Sequence, residues 1–467
     1  MLSEREKKRV FHKALYVLEK IGVEIRHEEA LDLLRDAGAR VEDQRVYLKP
    51  HHVREGLSSA PSYIPIYDRT GELALELGSE DNYFGPGSDN PSTIDLETGE
   101  RRQSKLEDVE NFSLLVDALP NMDFLMSMAL PQDVSTRIAD LYQFRAMTVN
   151  NSKPFVFTSA DNRNTVELFE MAAAIRGGRE ELEDKPFFVQ YTEPTSPLVG
   201  TEDALGRLLL SAEYGVPATY TSGTLPGASS PATPGGTVVM SLAEELSGVV
   251  ISQLKRPGAP VIIGGAASPM DMKTAGASYG LPAALLIDKA LSEVSKYLDM
   301  PVFSEAGFSD SKLIDGQQAM EASISITKMA RSEADLIHDV GYLESGQTGS
   351  LESVVIGNEI VGYVRRLQEG INLDEDHMAI DALKRVGPGG GFLTDKSTLD
   401  TFKSLYQPEL LDRKSYDSWK ESGGKGLRDR AREKARRLID EHHPEPLGEE
   451  AIGSMNEVIE RSEAELG

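Results

Sequence analysis

PVFSEAGFSDSKLIDGQ at residues 301–317 and ADLIHDVGYLESGQTGSLE at residues 334–352 decide how this chain is read. Each opens on a short apolar run, Val302-Phe303 and Leu336-Ile337, and discharges into a loop of Gly, Ser, Asp and Glu. Between them, residues 316–335 set Met320, Ile324, Ile326, Thr327 and Met329 at mixed three- and four-residue steps, as a packed helix does. The order is strand, polar loop, helix, strand, polar loop. Residues able to do chemistry fall just after the strands: Ser304, Glu305, Asp310 and Lys312 in one loop, His338, Asp339, Tyr342 and Glu344 in the next. A βα enzyme face is built this way.

The same unit recurs upstream. Apolar strand-like runs begin at Asn82, Met122, Lys153, Lys185, Val216, Ala259, Met300 and Asp335, about 30 to 43 residues apart, the length of a strand–loop–helix unit. Near-continuous apolar strands alternating with helices imply a parallel sheet covered on both faces. Eight such units predict an α/β fold, a (β/α)₈ TIM-like barrel over residues 81–400. A doubly wound open sheet is the rival, weakened by the missing G-x-G-x-x-G after the first strand.

Residues 1–80 read as an accessory cap. A Ser3–Glu6 capping box starts an amphipathic helix ending at Gly22, a second helix follows from about His27, and period-two runs flank a Thr70-Gly71 turn. Residues 401–467 read as a helical extension with a solvated, alternately charged face. GPGGGF at 387–392 lacks the Lys-Ser/Thr of a phosphate loop and is expected as a close-packed loop near the barrel mouth.

Composition removes several function classes. The 467 residues include no cysteine, which excludes disulfides, thiolate metal sites and a cysteine nucleophile. A formal charge of −27, from 76 acidic against 49 basic residues, argues against nucleic acid as partner. No apolar run approaches the roughly 18–20 residues that span a bilayer, and the N-terminus lacks a signal-peptide core, so a cytoplasmic protein without a membrane partner is expected.

Of the eight histidines only His338 ends a predicted strand, and no H-E-x-x-H or G-x-S-x-G occurs. No metal is therefore expected. Glu193 and Glu305 follow strands four and seven and leave open a carboxylate pair for barrel hydrolysis. Asp89, Asn90 and Glu344 join them as expected mouth residues. The rings Phe84, Tyr191, Tyr220, Phe308, Tyr342 and, after the barrel, Phe392 fall at strand ends. Each alone is more simply lumen packing. Together, with few cations nearby, they suit a substrate carrying a permanent positive charge.

Residues 18–48 (LEKIGVEIRHEEALDLLRDAGARVEDQRVYL), 66–78 (IYDRTGELALELG), 308–323 (FSDSKLIDGQQAMEAS), 334–361 (ADLIHDVGYLESGQTGSLESVVIGNEIV) and 387–395 (GPGGGFLTD) resemble the trimethylamine methyltransferase family across essentially the whole chain. The resemblance implies a barrel enzyme that passes a methyl group from an amine to the cobalt of a separate corrinoid protein. Cobalamin would then be carried by that partner and none bound tightly here, and a homo-oligomer is left open. Founding members carry pyrrolysine, whereas this chain reads plain Gly307-Phe308 at the corresponding place. That departure points to the non-pyrrolysine branch and to a quaternary amine, glycine betaine first, with proline betaine or carnitine as alternatives. A betaine also has a carboxylate. Its expected donor is His338, ahead of Lys312 and Arg163, because an imidazole donates a directed hydrogen bond in either protonation state. A catalytically silent betaine-binding protein is the remaining alternative.

Overall fold

The computed structural model describes residues 2–402 and 406–466. Its centre is a ring of eight parallel strands: β1 (Tyr83–Phe84), β2 (an extended segment at 123–126), β3 (Phe155–Phe157), β4 (Phe188–Gln190), β5 (Ala218–Thr219), β6 (Val261–Ala267), β7 (Val302–Glu305) and β8 (Leu336–His338). Ladders join each strand from β3 to β8 to the next, and Ile337 of β8 stands beside Phe84 of β1. The weak stave is β2, one bridge of Leu125 beside Phe155. It is tied to β1 by Asp123, whose N–H donates to the Phe84 carbonyl and whose carboxylate accepts from the Phe84 N–H, both at 2.7 Å. The ring is closed. Its eight strands are the eight apolar runs of the sequence.

Period-two alternation sorts the strand residues. Phe124, Met126, Val156, Val189, Ile262, Phe303 and Leu336 point inward as one lumen cluster. Their neighbours Phe84, Phe155, Phe157, Val302 and Ile337 point outward, into the layer under the helices. Below the lumen, a hairpin of Ile64–Tyr67 and Leu73–Leu77 adds Ile64, Ile66, Leu75 and Leu77 to the inner cluster. The Asp68 carboxylate holds its turn by accepting from the N–H groups of Thr70, Gly71 and Glu72. Tyr67 N–H donates to the Pro186 carbonyl before β4, and Gly78 N–H to the Asp335 carboxylate before β8. The hairpin therefore stoppers the N-terminal end of the barrel. The C-terminal end stays open.

The N-terminal helices Glu4–Tyr16, Glu28–Asp36 and Pro50–Ser59 pack against the long barrel helix Pro234–Lys255. By length and composition alone that helix could cross a membrane, but 89% of its apolar window is buried within the protein. The last two helices also clasp the barrel. Leu427–Glu441 lies on Leu351–Gln368 and Leu106–Ala118, and Glu449–Leu466 lies on Asn162–Arg176 and Ala139–Asn150. The charged face expected to be solvated is in part an anchor: Arg432 donates at 3.1 Å to Glu352, a carboxylate with no solvent exposure. GPGGGF also departs from expectation. A methyl group added at Gly389 or Gly391 would meet nothing within 4 Å, and Phe392 is exposed. The cause is its place in the chain, since helix Leu351–Gln368 carries the backbone away from the mouth before the glycines arrive.

Candidate active site

A cavity of about 400 Å³ opens at the C-terminal end of the strands, and every stave contributes to its wall. Ser88 and Asp89 follow β1, Met126 ends β2, and Thr158 follows β3. Tyr191 and Glu193 continue the inward parity of Val189 on β4. Gly223, Thr224 and Leu225 follow β5, Ala266 and Ser268 close β6, and Tyr279 reaches in from the loop beyond. Glu305 ends β7, while His338, Asp339 and Tyr342 come from β8 and its turn.

The wall is acidic and aromatic. It holds four carboxylates, three phenols and one imidazole, and among the described residues no lysine or arginine lines it. Glu305 is buried, and neither of its carboxylate oxygens has a hydrogen-bond partner. Burial, with the charges of Asp288 and Asp339 adding to it, pushes its carboxyl well above the usual range. Asp288 stands behind the wall on helix Pro282–Tyr297, accepting from the Ala267 N–H at 3.0 Å, and burial raises it in the same direction. Glu193 is exposed to the open cavity, where it accepts from the Tyr191 hydroxyl at 2.8 Å; the surrounding barrel mouth still shields it enough to raise its carboxyl. Asp89 is held by Ser127 and Gln143, each donating at 2.8 Å, and is likewise raised by burial.

The imidazole of His338 stacks on Phe303, ring centroids 4.4 Å apart and planes at 22°. Tyr191 tilts against the same Phe303 at 5.8 Å, so the floor is a continuous aromatic surface. Asp339 turns into the left-handed region at φ 75°, uncommon for a residue with a side chain. That turn brings both His338 and Asp339 to the cavity, where an extended strand would send neighbours to opposite faces. Tyr342 closes the rim. Its hydroxyl accepts from the Ser88 N–H at 2.5 Å and donates to the Ser88 carbonyl. Gly87 permits this approach, since a Cβ there would fall 2.1 Å from the ring.

Glu305, His338 and Asp339 offer ligand atoms within 4.8 Å of one another. As a metal centre the set fits poorly. His338 Nδ1 stands 2.6 Å from Asp339 Oδ1, closer than the roughly 3 Å or more that separates two ligands of one zinc-like ion at about 2.1 Å each. The contact also lacks hydrogen-bond geometry, leaving both atoms without a partner. Buried carboxylates without a counter-ion are costly, so these acids either hold protons or take up a cation.

Of the residues singled out in the sequence, Asp89, Tyr191, Glu193, Glu305, His338, Asp339 and Tyr342 are brought together here. The others lie elsewhere. Phe84 has outward parity and is core, Tyr220 is core pressed on Gly248 of helix Pro234–Lys255, and Phe308 is core behind Tyr279. Asn90 is buried and donates to the Met128 carbonyl at 2.8 Å, which is backbone support. Glu344 pairs with Arg101 at 2.9 Å outside the cavity, and Phe392 is exposed far along the chain. Lys312 and Arg163 do not line the wall either; Arg163 pairs with Glu465. Sequence reasoning missed Tyr279, Thr158, Ser88 and Ser268. Strand parity would have found Thr158, two residues beyond the inward Val156. Tyr279 sits in a long loop whose fold-back carries no periodic signal.

The trimethylamine methyltransferase (MTTB) family profile matches residues 1–467. The chain belongs to that family. Glycine betaine methyltransferase of Desulfitobacterium hafniense strain Y51 is 31% identical over 470 residues, covering 100% of this chain and 98% of that one. Trimethylamine methyltransferase MttB of Desulfitobacterium hafniense strain DSM 10664 / DCB-2 is 31% identical over 467 residues, covering 100% and 94%. Among solved structures, Methanosarcina barkeri monomethylamine methyltransferase (MtmB) superposes with a TM-score of 0.57 at 10% identity, covering 94% of this chain and 88% of that one. That likeness confirms the barrel. Family membership also displaces the hydrolase reading of Glu193 and Glu305.

Proposed function

We propose that this family member transfers a methyl group from a quaternary amine, glycine betaine first, to cobalt(I) of a corrinoid carried by a separate protein. The observation that carries the substrate class is the wall itself: buried, unpartnered carboxylate oxygens and aromatic faces with no lysine or arginine among them. A trimethylammonium group meets this need. It brings fixed positive charge and has no N–H that must find acceptors, and aromatic faces attract it. The cation would sit over Phe303 and His338, among Tyr191, Tyr279 and Tyr342.

The family resemblance supplies the acceptor. Pyrrolysine, where members have it, can make an amine nitrogen quaternary, and this chain has no equivalent. Gly307 has φ 85° and a Cβ there would lie 2.8 Å from Val340 Cα, while Phe308 is core. A substrate already quaternary needs no such activation, since its amine leaves neutral and no general acid is required. The protein's task is to orient one methyl toward the mouth and exclude water. The carboxylates also set a limit, because charge leaves the nitrogen in the transition state and an over-strong ion pair would favour the ground state. Glu305 fits that limit, because burial raises its carboxyl and so opposes the full charge that a bound cation draws from it.

The 31% identity to a glycine betaine methyltransferase along the whole chain makes glycine betaine the first substrate to test, with proline betaine and carnitine after it. His338 is the donor nearest to hand for its carboxylate. Incubating the chain with a reduced corrinoid protein and glycine betaine, then with trimethylamine, tests the reading. Stoichiometric dimethylglycine from the first and no dimethylamine from the second are expected. Demethylation of trimethylamine alone would overturn the substrate class.

A further inference from the structure

More than half of the large apolar side chains exposed on the described residues lie between Tyr363 and Tyr416. They belong to one excursion. Helix Leu351–Gln368 ends at the stoppered end of the barrel, where Arg365 pairs with Asp123 at the start of β2 and donates to the Asn82 carbonyl before β1. The chain leaves at Gly370 and is anchored again at Tyr406, whose ring meets Tyr363 at 6.3 Å, and at Leu410, whose N–H donates to Glu359 at 2.9 Å. Among the described residues, the hydrogen bonds and ion pairs found for residues 371–400 run within that segment or to Thr401 and Phe402 directly after it. Eight large apolar side chains between Ile371 and Leu399 are exposed, with Ile371 at 83% and Leu393 at 86%. At about 100 Å² each they present on the order of 800 Å², what a standard interface takes from each partner.

Between the two anchors lies a groove of about 570 Å³ lined by Tyr363, Leu367, Tyr406 and Pro408 and by the excursion's own root at Gly370 and Ile371. Arg366, which pairs with Glu369, and Arg413 line it as well. Arg413 donates to Gln407 and the Pro408 carbonyl and has no carboxylate partner among the described residues. The excursion has the opposite character, with Leu373 followed directly by Asp374, Glu375 and Asp376. We propose that residues 370–402 are an arm that packs into the Tyr363–Arg413 groove of a second copy of this chain, each copy giving its arm to the other.

Three observations select a second copy. Arm and groove are complementary in both apolar character and charge, and both lie on one chain at one end, as a two-fold contact requires. A methyl acceptor must reach the mouth, and this patch lies at the opposite end of the barrel. A membrane surface would meet the arm's carboxylates unfavourably. Local neutralisation also matters for a chain of net charge −27, since two copies otherwise repel.

Size-exclusion chromatography with light scattering on the full chain is the test, and it is independent of catalysis. At micromolar concentration the mass should be twice the 51.0 kDa of one chain, or a higher multiple. Leu373→Asp with Leu393→Asp should return it to 51.0 kDa with unchanged far-UV circular dichroism, and Arg413→Glu should weaken association at least tenfold. The chain has no cysteine, so Leu373→Cys with Leu367→Cys adds an independent readout: oxidation should give a covalent dimer. A 51.0 kDa wild-type species, association untouched by these variants, or a disulfide closing within one chain would each overturn the arm.

Discussion

Glu305 and His338 are register partners on the parallel ladder of β7 and β8. The pairing puts an unpartnered carboxylate and the imidazole side by side at the mouth, and the left-handed turn at Asp339 adds a second acid beside them. No lysine or arginine lines this wall among the described residues, which is why a cationic ligand is proposed for it.

Glu305→Gln removes that charge while keeping the shape. Affinity for glycine betaine should fall by about 2–5 kcal/mol, the range for losing one partner of a buried charged contact. Thermal stability at neutral pH should rise, because an unpaired buried acid no longer has to be accommodated. Calorimetric titration and thermal unfolding of the same preparation check both. A large loss of stability would mean that Glu305 is a structural anchor.

Binding should release protons. The Glu305 carboxyl is raised well above its ordinary 4.5 in the free protein, and a bound cation favours its ionised form. Affinity for tetramethylammonium should therefore increase with pH until the raised value of the free protein is passed. For folding the sign reverses: the group's contribution is fully present below 4.5 and is lost as pH rises to its folded-state value. Titrations in buffers of different ionisation enthalpy count the protons, and the dependence should flatten in Glu305→Gln.

His338→Ala should weaken glycine betaine by about 1.5–3 kcal/mol, the scale of a hydrogen bond to a charged group. Tetramethylammonium, which has no carboxylate, should lose much less. Equal losses for the two ligands would make His338 a support for the aromatic floor rather than a reader of the substrate.

Rings of opposite parity should behave differently. Tyr191→Leu and Tyr279→Leu should each cost on the order of 0.5–2 kcal/mol in affinity for the cation. Phe84→Leu and Tyr220→Leu should leave affinity unchanged and lower the melting temperature, since both rings are core. Affinity measured beside thermal unfolding across the four variants separates the classes.

The barrel was legible because parallel strands buried on both faces read as continuous apolar runs, and all eight starts could be counted. A ring's place at a strand end does not by itself give its inward or outward sense. Tyr220 and Phe84 therefore stood beside Tyr191 as equals, although alternation from Val189 and Leu336 separates them. Asp339 gained its place from a left-handed turn that composition does not announce. GPGGGF misled for another reason: a glycine-rich run marks freedom of the backbone, and only the length of helix Leu351–Gln368 says to which end of the barrel that freedom is delivered.

The central claim is methyl transfer from a quaternary nitrogen, and the absorption spectrum of a reduced corrinoid protein reads it directly. Adding this chain and glycine betaine should convert the cobalt(I) spectrum to that of methyl-cobalt(III), at a rate proportional to the chain and much reduced in Glu305→Gln. An unchanged cobalt(I) spectrum with glycine betaine, proline betaine and carnitine alike, from a chain that binds them, would contradict the account.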